Sequence, residues 1–233
     1  IDFRVQPRNI AISGNEQIFA VSFFKEARSF TLFYNKNDMK AFSWIEDPDN
    51  NTNSYIGNRT KLSYDGEYFL TCSYNSKLYN YYLEDDMQFR SNYTAITTGF
   101  VWLYRKNSTT NIYELYKYDF HKKMVEANVP GSTGVQDTQI RIYTCDMSDD
   151  AQFIIVGGYY LVALFQWNDG TEDYDIIKLI PYTEIIGTTG TIYYNTRNAV
   201  INSDGTMFAI KGLGDEQKAP LTVYEWTGNS TSN

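Results

Sequence analysis

Apolar runs of strand length recur along this chain, separated by short clusters of Asp, Asn, Gly and Ser. The stretch "LSYDGEYFLTCSYNSKLYNYYLED", Leu62 to Asp85, shows the unit: one apolar residue, an Asp-Gly turn, an apolar run, a polar turn, and a second run ending in tyrosines. Such punctuation predicts two short antiparallel strands joined by tight turns.

The phrase repeats. Aligned on the turn, the chain reads "ISGNEQIFAVSF" from Ile12, "LSYDGEYFLTCS" from Leu62, "MSDDAQFIIVGG" from Met147 and "INSDGTMFAIKG" from Ile201. The turn position is Asn15, Asp65, Asp150 and Asp204, residue types that hydrogen-bond their own backbone, while Gly66 and Gly205 supply φ > 0. Four residues later stand Phe19, Phe69, Ile154 and Phe208. The intervals are 50, 85 and 54 residues, and the middle one is nearly two units long.

The following strand supplies a second landmark, an aliphatic residue, an aromatic, a polar residue and usually Tyr or Trp. It reads Leu32-Phe33-Tyr34-Asn35, Leu78-Tyr79-Asn80-Tyr81, Leu115-Tyr116-Lys117-Tyr118, Leu164-Phe165-Gln166-Trp167 and Val223-Tyr224-Glu225-Trp226. Five units result, the third having a turn degenerated to Thr97-Thr98-Gly99 and "GFVWLYRK" as its second strand. Third strands follow at Met39, Met87, Lys122 and Tyr174, and the run before each turn makes four strands per unit.

Four-stranded units at this spacing resemble the WD-repeat type of β-propeller. The matches are the Asp-Gly turn, the Tyr or Trp closing the third strand, and Tyr118-Asp119 beside the Trp-Asp pair; the Gly-His signature is absent, His121 being the only histidine. The resemblance implies an all-β, five-bladed propeller of four-stranded antiparallel blades in one domain, with blades at 10–49, 50–90, 91–129, 130–182 and 183–233. The opening strand, Ile1, Asp2, Phe3, Arg4 and Val5 within 1–9, is expected to complete the last blade and remove two unpaired edges, or to serve a neighbouring molecule. A β-sandwich would need too many strands; two β-domains remain the alternative.

Composition narrows the class. With 17% aromatic residues, 21 of them Tyr, the chain favours pleated surfaces over helices, and 233 residues suffice for one large domain or two small ones. A net charge of −8 repels phosphates, so nucleic-acid partners are not expected. No apolar run approaches the roughly 20 residues of a membrane helix, and a chain opening on Ile1 reads as a processed or excerpted soluble protein without membrane insertion. Cys72 and Cys145 fall inside apolar runs, where free buried thiols are the ordinary reading and a bridge the alternative.

Candidate chemistry is sparse. His121, just beyond "YKYDF", reads as a lone surface histidine, unable by itself to hold zinc or complete a Ser-His-Asp arrangement. "DPDNNTN" spaces Asp47, Asp49, Asn51 and Asn53 like a calcium loop but has Thr52 for the required Gly and Asn58 for the closing Glu. "NDG" at Asn168 reads as a hairpin turn, and "GGYY" and "GTTGT" lack the features of a phosphate loop. Five-bladed propellers include glycosidases and lectins, which directs attention to Asp137, Asp146 and Glu184 as axial carboxylates and to Tyr and Trp as sugar-stacking surfaces. None of these sits in a distinctive setting, so no enzyme activity, cofactor or metal is expected.

Asn-x-Ser/Thr acceptors occur at Asn50, Asn58, Asn92, Asn107 and Asn229. The blade assignment puts Asn50, Asn58, Asn92 and Asn107 in connections on one face, and Asn229 in the terminal tail. The expected function is a structural or protein-binding module, extracellular or on the cell surface, N-glycosylated, with protein partners that include copies of itself, assembled into a larger or filamentous structure. Glycans as ligands of a carbohydrate-active propeller, and an intracellular interaction propeller, are the alternatives.

Overall fold

A computed structural model describes residues 6–25, 28–46, 55–74, 76–77, 97–98, 100–127, 142–158, 161–181, 195–213 and 221–228. The first sheet contains β1 (Gln6–Ile12), β2 (Ile18–Lys25), β3 (Arg28–Asn35) and β4 (Ala41–Glu46), in chain order and antiparallel throughout. The second begins with β5 (Tyr55–Leu62) and β6 (Tyr68–Tyr74). A two-stranded ribbon of β7 (Ser76–Lys77) and β8 (Thr97–Thr98) intervenes, and β9 (Val101–Lys106) and β10 (Tyr113–Lys117) then complete that second sheet. Helix α1 (Phe120–Ala127) leads on. The third sheet is β11 (Ile142–Met147), β12 (Phe153–Gly158), β13 (Leu161–Asn168) and β14 (Asp173–Pro181). The fourth is β15 (Asn195–Ile201), β16 (Met207–Leu213) and β17 (Leu221–Glu225).

The all-β propeller architecture with four-stranded antiparallel blades is present, but with four blades among the described residues instead of five. The 85-residue interval holds one blade. Val101–Lys106 pairs with β6 from Cys72↔Val101 to Tyr68↔Arg105, so "GFVWLYRK" is the third strand of the blade that Leu62 opens. Tyr113–Lys117, expected as a third strand, is the fourth strand of that same blade. The run from Lys122, expected as a strand, lies in α1: Phe120 and Met124 are buried one helical turn apart, and Lys122 and Glu126 pair at i,i+4. His121 rides on this helix and is buried, not on the surface. The strand expected at Ile1–Val5 lies outside the described residues, and the boundary drawn after residue 9 falls within β1.

One turn chemistry builds every blade. Ser13, Ser63 and Ser148 are buried, and their hydroxyls accept the N–H groups of Ile18, Tyr68 and Phe153 at 3.0, 2.9 and 2.9 Å. The same hydroxyls donate to Asn15, Asp65 and Asp150 at 2.8, 2.7 and 2.6 Å. In the fourth blade Asn202 replaces the serine and accepts the Met207 N–H at 2.8 Å. Each turn then needs one left-handed residue, supplied by Glu16, Gly66, Ala151 and Gly205 with φ of 57°, 75°, 57° and 76°.

Three apolar layers separate successive blades. Ala20 and Phe33 of the first meet Leu62, Phe69 and Tyr113 of the second. Leu70, Cys72 and Leu103 meet Met147, Ile154 and Phe165 of the third, with Phe120 and Met124 of α1 added at the side. Ile155 and Leu164 meet Ala199, Ile201 and Phe208 of the fourth. Cys72 and Cys145 are free and buried within the second layer.

Candidate functional site at the turn end of the blades

The serine-based turns lie at one end of the sheets and are linked from blade to blade by backbone hydrogen bonds. The Asn15 N–H donates to the Tyr64 carbonyl at 2.9 Å, the Tyr64 N–H to Asp149 at 2.7 Å, and the Asp149 N–H to Ser203 at 2.9 Å. Tyr113 and Tyr174, from the outer strands, reach inward to donate their hydroxyls to the carbonyls of Gly66 and Ala151, the left-handed turn residues. Burial, followed by nearby charges, pushes both phenols up, so they remain neutral donors.

This hydrogen-bonded end carries exposed apolar side chains. Met39, in the β3–β4 turn, and Ile112, beside the β9–β10 turn, are both exposed, as is Tyr64 in the β5–β6 turn. Between the first two blades lies a cavity of about 200 Å³ lined by Ile18, Asn35, Phe42, Lys106 and Asn111. Met39 and Asn111 hold left-handed backbones at φ 53° and 56°, which fix the two turns that edge the cavity. Lys106 pairs with Glu67 at 3.4 Å, and Lys36 with Glu16 at 3.1 Å, so the rim is charged but locally balanced.

The residues singled out from the sequence are dispersed. Asn50, Asn92 and Asn229 lie outside the described residues, as do Asp47, Asp49, Asn51, Asn53, Asp137 and Glu184. Asn58 lies inside β5, not in the connection before it. Asn107 sits in the β9–β10 turn, at the serine-turn end, because the adjoining Lys106 N–H bonds the Glu67 carbonyl. Asn107 Oδ1 accepts the N–H groups of Thr109 and Thr110, while its amide nitrogen donates to Glu114 at 3.2 Å. Asn35 and Asn168 close the turns after the third strands of their own blades in the same way, accepting from Asn37 and Gly170 at 3.2 and 2.9 Å. Asn168 to Gly170 is the hairpin turn that the sequence predicts.

Asp146, the axial carboxylate within the described residues, accepts the Ile201 and Met147 N–H groups at 3.0 Å each. Burial pushes its carboxyl above the usual range, against the lowering by those bonds and by Lys61. It acts as a strut between β11 and β15. Arg59 spans similarly to Asn198, tying β5 to β15. Among the described residues no cluster of three or more His, Cys, Asp or Glu is placed to hold a metal ion.

The sequence matches no protein-family model and no curated protein. Its structure is similar to the β-propeller domain of Myceliophteria thermophila Cps50 (Swd1), with a TM-score of 0.53 and 7% identity, covering 96% of this chain and 60% of that one. It also aligns with TolB from Acinetobacter baumannii, at a TM-score of 0.47 and 7% identity, covering 96% of this chain and 41% of that one. The first likeness carries the fold: this is a propeller-type arrangement resembling the WD-repeat kind in architecture. The chain spans 60% of the first structure's length and 41% of the second's.

Proposed function

We propose that this chain is a non-enzymatic protein-binding module whose docking surface is the cavity between the first two blades together with the exposed apolar side chains on the same end. The observation that carries this reading is the exposed trio Met39, Tyr64 and Ile112 on the end that holds a cavity of about 200 Å³. That volume falls below the roughly 300–1,000 Å³ of small-ligand pockets, which suits one apolar side chain of a protein partner better than a sugar or cofactor. An anchor residue seated in such a depression and ringed by near-neutral contacts is the usual form of a binding hot spot. The two-sided commitment of Asp146 to backbone N–H groups supports the non-enzymatic reading.

The test is selection from a displayed peptide library. Enriched peptides are expected to share an apolar anchor and to lose about tenfold or more in affinity on Ile112→Asp or Met39→Asp. Binders indifferent to both substitutions overturn the reading.

The proposed setting is extracellular or at the cell surface, with N-glycans and with self-association as a second mode of binding. The five sequons support it, although Asn107 must release Glu114 to accept a glycan. Intact mass of chain made through a secretory pathway, before and after deglycosylation, tests this: an unmodified product overturns it.

A further inference from the structure

The two end faces of the four-blade arc are built like its internal faces but are covered by no blade among the described residues. Ile12, Leu62, Met147 and Ile201 occupy one register, opposite Phe19, Phe69, Ile154 and Phe208. In the second, third and fourth blades this position faces the preceding blade, at 1%, 0% and 7% exposure, whereas Ile12 in the first is 54% exposed. Beside it runs the cross-strand row Ile10, Val21, Leu32 and Trp44, whose members at the two ends are 60% exposed. This is a blade-facing surface that no blade covers among the described residues.

The other end is complementary. Ala11, Ala20 and Phe33 form the row of the first blade that the second blade covers. The register equivalents in the fourth blade are Val200, Ala209 and Val223, where Val200 and Val223 are 52% and 56% exposed, and Met207 and Leu221 beside them are exposed as well. The turn ladder stops at the same two places: the Ser203 N–H and the Gly14 carbonyl occupy the next donor and acceptor positions and find no partner among the described residues.

We propose that these faces are the interface between two copies of this chain, which close head to tail into a single ring of eight blades. Each copy offers the back of its fourth blade to the front of the first blade of the other, with Ser203 N–H donating to the Gly14 carbonyl across each joint. A heterologous contact makes a ring when its rotation closes and a filament when it does not. Propellers run from about 4 to 8 blades, so among assemblies of a four-blade arc two copies close within that range and three do not. The proposal deepens the reading of the chain as an interaction module by naming a partner, and it depends on different residues from those at the cavity.

The test is sedimentation or light scattering of the full chain over a range of concentrations. The expected species has twice the 27.0 kDa of one chain. Ile12→Asp and Val223→Asp should each weaken it on the order of 100-fold, since either places an unpaired charge in both joints. An equimolar mixture of the two variants should regain a dimer, because one of its two joints is free of both changes. Ile112→Asp should leave the dimer intact, which separates failure of the cavity reading from failure of this one. If a variant fails to fold, wild-type amide exchange decides instead: protection at residues 10–12 and at Ser203 should rise with concentration. A monomer at all concentrations, a ladder of larger species, or a dimer broken by Ile12→Asp but indifferent to Val223→Asp overturns the proposal.

Discussion

The left-handed turn residue is where the side chain alone decides the outcome. Gly66 and Gly205 share this conformation, but a Cβ added at Gly66 meets the terminal methyl of Ile18 at 2.7 Å, whereas one at Gly205 overlaps the ring of Phe153. Gly66→Ala is therefore expected to cost about 1–2 kcal/mol, chiefly from backbone strain, and Gly205→Ala about 2–4 kcal/mol because overpacking adds to it. Chemical denaturation of the two variants checks this, and equal losses would show that the ring contact carries no weight. The glycines and the Asn or Asp two positions after each serine were legible in the sequence, because turn chemistry is local. The serines were not: Ser13, Ser63 and Ser148 stood in the same aligned column, but their capping of an N–H five residues on appears only when the turn is closed.

At the scale of elements, spacing misled where pairing is non-local. The segment between β6 and β9 is an insertion within one blade, and its tyrosine-rich phrase from Leu78 mimics the second landmark closely enough to suggest an extra unit. What the landmark marks in three dimensions is an aromatic opposite the large apolar residue: Tyr34, Tyr104, Phe165 and Tyr224 face Phe19, Phe69, Ile154 and Phe208. Helix α1 was missed because a repeat of strands was already expected there, although its i,i+4 burial pattern is local. It is fastened to the third blade through Asp173, which receives Lys123 at 2.6 Å and Lys117 at 3.3 Å, while Lys123 also donates to the Tyr174 carbonyl at 2.8 Å. Burial raises the Asp173 carboxyl, but the two lysines and the Tyr174 N–H outweigh it and hold the group below its ordinary value. A carboxylate lowered on folding stabilises above the unfolded-state value of about 3.9 and loses that contribution as pH falls through the folded one. Asp173→Asn is thus expected to cost ~0.5–1 kcal/mol at neutral pH, with the difference from wild type vanishing once the pH has fallen through the lowered folded-state value. Stability measured against pH for both chains decides it, and a gap that persists in acid would assign the loss to packing.

Across the whole molecule, burial is graded from the centre of the arc to its ends. In the third blade every side chain from Leu161 to Phe165 is fully buried, since both faces of β13 are covered by neighbouring blades. The fourth blade has one covered face and one open face, where Val200, Leu221 and Val223 meet solvent. A stack in which each unit contacts only its neighbours gains its stability from those interfaces, so a unit with one interface opens at lower free energy than a unit with two. Amide exchange under native conditions is therefore expected to be slowest in β12 and β13 and faster by about tenfold or more in β16 and β17, because a loss near 1.4 kcal/mol is a factor of ten in the open population. The first blade should resemble the fourth at low concentration despite its four strands, since its outward face carries exposed Ile10, Ile12 and Trp44. Uniform protection at high dilution would mean that the arc opens as one cooperative unit, and the interface count would then not govern its stability. If the ends become protected together as the concentration rises, the gradient and the pairing of end faces have one cause, the missing interblade contact.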